Sequence, residues 1–113
     1  MRQWFVLPSI LCGQHLLGEH CECHMFAGAI SKGVSMSGYV ERGLLYLPDL
    51  VLRHNDLARE MQRRGMNHNS PLSAIKVADY RSFVCPVGSL LDLASRCLKC
   101  RQRWMVSKWA PLL

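Results

Sequence analysis

The sequence predicts a small all-α domain of about three helices, with an N-terminal arm packed across them. Three stretches carry the prediction. Residues 14–30, QHLLGEHCECHMFAGAI, are too long and too free of proline for a strand. Residues 50–64 set Leu50, Leu57 and Met61 at helical spacing between the start signal Pro48-Asp49 and the stop Gly65. Residues 90–104 set Leu90, Leu93, Ala94 and Cys97 on one side. At 113 residues, half of them apolar, the chain is expected to form one domain over 1–113, with a modest core.

The arm opens Met1-Arg2-Gln3-Trp4-Phe5-Val6-Leu7-Pro8. Arg2 is too large for the usual removal of an initiator Met, so Met1 is expected to stay and to carry the free terminus. An α-amine has an ordinary pKa of roughly 7.7–8.0, far below that of a lysine, so part of it is neutral and nucleophilic near neutral pH. The apolar run Trp4 to Leu7 would anchor the arm and hold that amine beside a helix.

Pro8-Ser9 is a helix-start signal. At about 100° per residue, His15, Glu19, Glu22 and Phe26 of the first helix fall in one narrow arc, with Leu16, Cys23 and Ala27 on the flank. Two carboxylates sharing an arc with an aromatic and an imidazole suggest the lining of a site or the inner surface of a groove. His20 and His24 lie one turn apart on another face. The helix should end near Lys32-Gly33, a basic residue before a glycine C-cap.

Residues 33–48 read as an irregular connector punctuated by Gly33, Gly38, Gly43 and Pro48, with Leu44 to Leu47 tucked under the helices. Asp49 is the expected N-cap of the second helix. Its Arg53, Arg59, Arg63 and Arg64 read either as a solvated face or as phosphate contacts. Residues 66–71 are a turn and loop, and Ile75, Val77, Tyr80, Phe83 and Val84 fit a short helix or extended chain. Cys85-Pro86-Val87-Gly88 breaks what precedes it, and Ser89 with Asp92 outlines a capping box for the third helix. The tail from Arg96 is the most basic segment. Its Lys99, Arg101, Arg103 and Lys108 surround Trp104 and Trp109, a mixture suited to phosphates and stacked bases, although Trp104 also reads as core.

Lys and Arg outnumber Asp and Glu by 14 to 8, for a net charge of +6, which favours polyanionic partners through counterion release. There is no apolar run of membrane-spanning length and no signal-peptide pattern, so the expectation is no membrane and a cytoplasmic location: on the nucleoid, or in a host's cytoplasm for a viral chain. In that compartment the six cysteines, Cys12, Cys21, Cys23, Cys85, Cys97 and Cys100, read as reduced thiols or metal ligands rather than disulfides.

Arg2, Gln14-His15-Leu16, Glu19 and Glu22, followed by the phrase LxxRxxxLxxExxxRG at Leu50, Arg53, Leu57, Glu60 and Arg64-Gly65, resemble the pyrimidine-dimer DNA glycosylases of the phage endonuclease V type. The likeness runs without a gap from Met1 to Glu22 and covers about the first two thirds of the chain. It implies a DNA repair glycosylase with coupled abasic-site lyase activity on double-stranded DNA holding damaged bases or abasic sites, acting as a monomer without a cofactor. It implies Met1 as the nucleophile that forms an imine with the sugar and Glu22 as the catalytic carboxylate. It also implies Arg2, Gln14 and His15 as residues that position the substrate or contact the DNA. The basic tail adds Arg101 and Arg103 as candidate DNA contacts. The pattern alone leaves two readings of Glu22, a solvated surface carboxylate or a site acid, and the resemblance favours the second. The family's phage type has arginines directly before and three residues after this glutamate; here those places hold Cys21 and Met25, so two phosphate grips are missing.

A second constellation is a metal site. Cys97-Leu98-Lys99-Cys100 is a CxxC, and His20 and His24 at i, i+4 can share one ligand sphere. Together these four would close a tetrahedral structural zinc site on the side of the first helix away from Glu22. On that constellation rests the rival reading, a non-catalytic zinc-stapled DNA-binding module.

Overall fold

The computed structural model describes residues 1–68, 70–72 and 84–107. Among these the chain is all-helical: α1 Gly13–Ser31, α2 Ser37–Glu41, α3 Leu50–Arg63, α4 Pro86–Arg96 and α5 Leu98–Val106, with 3₁₀ turns at Pro8–Ile10 and Leu47–Asp49.

The core lies where α1 packs on α3. Phe26, Leu16 and Cys23 of α1 meet Leu50, Leu57 and Met61 of α3 in one cluster, which Leu93 of α4 and Trp4, Val6 and Leu11 of the N-terminal segment complete. Each fully buried side chain of this size contributes about 1.5–3 kcal/mol. The buried positions of α1 are Leu16, Glu19, His20, Cys23, Phe26 and Ala27, a regular helical stripe. Two of its members are polar, which hides the stripe from a reading of hydrophobicity alone.

Helix α1 ends where the sequence indicates. Gly33 takes φ +76°, its N–H donates to Ile30 O, and Val34 N–H donates to Ala29 O, which satisfies the last carbonyls. Gly65, at φ +77°, closes α3 in the same way through Gly65 N–H to Gln62 O and Met66 N–H to Met61 O.

Three expectations change. The connector holds a short helix, α2, whose Val40 is buried in the core. The third helix does not start at Leu90: Pro86 opens it, and Cys85 is the N-cap, its sulfur accepting from Gly88 N–H. Ser89 and Asp92 therefore lie inside α4 and are free to bind another element rather than cap. Nor does the helix run to Trp104. It breaks at Cys97, at φ −124° and ψ 110°, which serves as both the C-cap of α4 and the N-cap of α5. Trp104 packs half-buried against the core. The expectations for Ile75, Val77, Tyr80, Phe83, Lys108 and Trp109 lie outside the described residues. No described helix is long and apolar enough to cross a membrane.

Candidate active site

The arm is pinned from three sides. Gln3 is fully buried; its N–H donates to Leu44 O and its Oε1 accepts from Tyr46 N–H, both at 2.7 Å. Phe5 takes φ +55°, a left-handed conformation that costs about 1–3 kcal/mol outside glycine and persists only where its surroundings impose it. Here they do. Trp4 and Val6 are buried on either side, and Arg53 lies over the Phe5 ring and donates to Val6 O at 2.7 Å.

Arg53 is held in turn by Glu19. The two form a bidentate ion pair, Nε to Oε2 at 2.5 Å and Nη2 to Oε1 at 2.9 Å, with both side chains buried. Arg64 donates to Leu11 O at 2.7 Å and Pro8 O at 3.1 Å while its Nε pairs with Glu60. The phrase LxxRxxxLxxExxxRG is thus scaffold. Its leucines are core, and Arg53 and Arg64 grip the backbone that leads into α1. Neither arginine is a solvated face or a free phosphate contact.

This pinning lays the chain start along α1. Arg2 N–H donates to Glu22 Oε2 at 3.1 Å, which sets Met1 at the carboxylate. The Arg2 guanidinium stacks 3.9 Å from the centroid of Trp4 and reaches across to α4, donating to Asp92 Oδ2 at 3.1 Å and Ser89 Oγ at 2.7 Å. The residues that fail as a capping box therefore receive Arg2. Asp92 also pairs with Arg96 at 2.9 Å.

Between arm and helix lies a cleft of about 420 Å³ with Met1, Arg2, Gln14, His15 and Glu22 on its walls. Trp4, Glu19 and Arg96 also line it. The structure thus brings five of the sequence-predicted residues together. It adds Arg96, which the sequence marks only as part of a basic tail. Gln14 is exposed and Glu22 partly buried, so the cleft opens to solvent. Arg101 and Arg103 are not in it. Both lie on α5, where Arg101 is exposed and Arg103 donates to Ser9 O at 2.9 Å.

The expected ligand set His20, His24, Cys97 and Cys100 does not assemble. His20 and His24 turn toward α3 and meet His54, ring centroids 4.7 Å from it in each case, His20 tilted and His24 edge to face, and His68 joins from beyond α3. His20 is buried with neither ring nitrogen bonded, and burial followed by the neighbouring imidazoles of His54, His24 and His68 lowers its pKa to about 4.

The CxxC instead meets the start of α1. Ligand atoms of Cys12, His15, Cys97 and Cys100 lie within 4.8 Å of one another, a group able to hold a metal ion. The physical reason is the break at Cys97, which turns α5 back against the Pro8–Ile10 turn that precedes Cys12. A sequence signal for this group exists in two matched spacings, Cys12-x2-His15 and Cys97-x2-Cys100. All cysteines among the described residues are unpaired. Burial weighs against ionising Cys97, but hydrogen bonds from Cys100, Cys12 and Lys99 outweigh it and bring the thiol down; burial pushes Cys100 up to about 12.

No curated protein and no solved structure matches this chain. The sequence model of the pyrimidine dimer DNA glycosylase family matches residues 1–74, a span that contains the arm, α1, α3 and every wall residue of the cleft except Arg96. The chain belongs to the pyrimidine dimer DNA glycosylase family.

Proposed function

We propose that this protein removes damaged bases from double-stranded DNA, with pyrimidine dimers as the substrate, and cuts the strand at the resulting abasic site. The Met1 α-amine attacks the sugar carbon bearing the damaged base, the base leaves, and an imine joins protein and sugar. The imine acidifies the neighbouring sugar proton, and β-elimination breaks the strand. Glu22 stabilises the cationic sugar and moves the protons. Gln14, His15 and Arg2 position the lesion, which must be exposed by distorting or flipping the nucleotide. Arg96 in the cleft and Arg101 and Arg103 on α5 supply phosphate contacts. The reaction needs no cofactor, and the protein acts as a monomer in the cytoplasm.

The observation that supports this reading best is the hydrogen bond from Arg2 N–H to Glu22, since it sets the first residue against a carboxylate inside a polar cleft. The reading requires Met1 to be the amino terminus of the mature chain, which an intact-mass measurement checks. Borohydride trapping tests the chemistry. An imine-forming protein becomes covalently fixed to abasic oligonucleotide under reduction, and acetylating its terminus abolishes both trapping and nicking. Undiminished nicking after acetylation would refute it. A protein that binds lesion DNA but never traps would be the non-catalytic module instead.

A further inference from the structure

We propose that Cys12, His15, Cys97 and Cys100 bind one Zn²⁺ ion that ties the start of α5 to the start of α1 and fixes the His15 ring at the cleft wall.

The separations are those of ligands around a single ion. With Zn–S of about 2.3 Å and Zn–N of about 2.0–2.1 Å, tetrahedral angles put two thiolates about 3.8 Å apart and a thiolate about 3.5 Å from an imidazole nitrogen. Cys12 Sγ lies 3.9 Å from Cys97 Sγ. His15 Nδ1 lies 3.3 Å from Cys12 Sγ and 3.6 Å from Cys100 Sγ.

Both pairs are built alike. Cys12 is the N-cap of α1 and its sulfur accepts from His15 N–H at 3.5 Å. Cys97 is the N-cap of α5 and its sulfur accepts from Cys100 N–H at 3.4 Å. Cys12 N–H crosses to Cys100 Sγ at 3.2 Å. Each sulfur thus has a backbone donor, which suits a thiolate better than a thiol. The positive N-terminal ends of α1 and α5 both face the group, and they offset the net negative charge of three thiolates on one dication. Three sulfurs and one imidazole, all from the protein, make a closed soft site that selects zinc and leaves no position for a substrate.

The site has a consequence for the cleft, which rests on the reading given under Proposed function. His15 lines the cleft and meets Trp4 edge to face, with ring centroids 6.1 Å apart. With Nδ1 on the ion, the other ring nitrogen carries the proton, so His15 presents a fixed neutral donor. The ion is a positioning element for His15 and takes no part in the chemistry.

Metal content tests the ion independently of activity. Protein made without a histidine tag, in zinc-supplemented medium and reducing buffer, is expected to hold one zinc per chain. Replacing the zinc by cobalt should give a thiolate-to-cobalt charge-transfer band and a tetrahedral visible spectrum. The pair Cys97→Ser and Cys100→Ser should abolish both, while Cys21→Ser and the pair His20→Gln and His54→Gln retain them. His15→Cys, which keeps four ligands, should retain the ion and strengthen the charge-transfer band; an unchanged band would remove His15 from the set. Folded, reduced protein with no zinc and no cobalt–thiolate band would overturn the proposal even where the serine variants fail to fold. So would zinc that survives the serine pair and is lost with the histidine pair, since the ion would then sit among His20, His54 and His68. Chelation of the wild-type protein should lower its melting temperature by several degrees and its affinity for lesion DNA at least several-fold. Unchanged melting after complete removal of the metal would overturn the tie between α1 and α5.

Discussion

Arg2 N–H and Glu22 Oε2 meet at 3.1 Å across a separation of 20 residues in sequence. The donor is backbone, so the bond depends on where the arm runs and not on the Arg2 side chain. That side chain is committed elsewhere, to Asp92, Ser89 and the face of Trp4. The carboxylate holds the chain start through one oxygen, Oε2.

Glu22→Gln separates these two roles. The amide oxygen still accepts from Arg2 N–H, so the arm keeps its place, but the group no longer takes or gives a proton. Cleavage of lesion-bearing duplex is expected to fall by about 10²-fold or more, the usual worth of a positioned acid or base. Binding to the same duplex should change by less than about threefold. Single-turnover cleavage and a binding titration on one protein sample decide it, and equal cleavage by the variant would remove Glu22 from the mechanism.

Adding a single glycine ahead of Met1 tests the position of the amine. The new terminus lies up to about 3.8 Å from the old one, and misplacement of 1 Å can cost on the order of 10²-fold. Borohydride trapping is expected to drop at least tenfold while the fold is unchanged, because Arg2, Gln3 and Val6 keep their partners. Full trapping by the extended chain would show that another amine reacts.

Glu19→Ala should leave Arg53 charged and buried without its partner, and the loss is expected to be about 3–5 kcal/mol, the range for breaking a buried pair from one side. Arg53→Ala should cost as much, since it also leaves Val6 O without its donor and removes the cation from over the Phe5 ring. The double variant is expected to lose less than the sum of the two, because each single change already breaks the same pair. Urea unfolding measures all three, and a loss below about 1 kcal/mol for either single variant would contradict the clamp.

Acid should destabilise the protein well above the carboxylate range. Burial, then His54, His24 and His68, lower the His20 pKa from 6.5 to about 4. The unfolded chain therefore takes up a proton below pH 6.5 that the folded chain refuses until about pH 4. Stability from this group is whole above the upper value and falls as pH drops through the window, by on the order of 3 kcal/mol at 1.36 kcal/mol per unit. Urea midpoints across that window check it. Replacing His20 by glutamine should flatten the profile, and an unchanged slope in that variant would assign the effect to other groups.

Much of the architecture was legible residue by residue. Gly33 and Gly65 stop their helices because a left-handed residue there ties up the last carbonyls, a local requirement that sequence displays. Leu50, Leu57 and Met61 are buried as their spacing indicates. Ser89 and Asp92 have the spacing of a cap, but Pro86 sets the start of α4 one turn earlier and makes them the receptor for Arg2. The spacing from Leu90 runs on past Cys97 because no glycine or proline marks the break there; Cys97 takes an extended backbone and its sulfur caps α5 by accepting from Cys100 N–H.

The sequence by itself determined the helices that form the core, where two of them end and membership of the glycosylase family. Only the tertiary structure decided that Glu19 and Arg53 neutralise each other, that Arg96 reaches the cleft, and that the CxxC meets Cys12 and His15 while His20 and His24 join His54. The reason is the range of the forces involved. Spacing along one helix fixes which side chains share a face, but which face of another element lies opposite is set by the packing of the whole core.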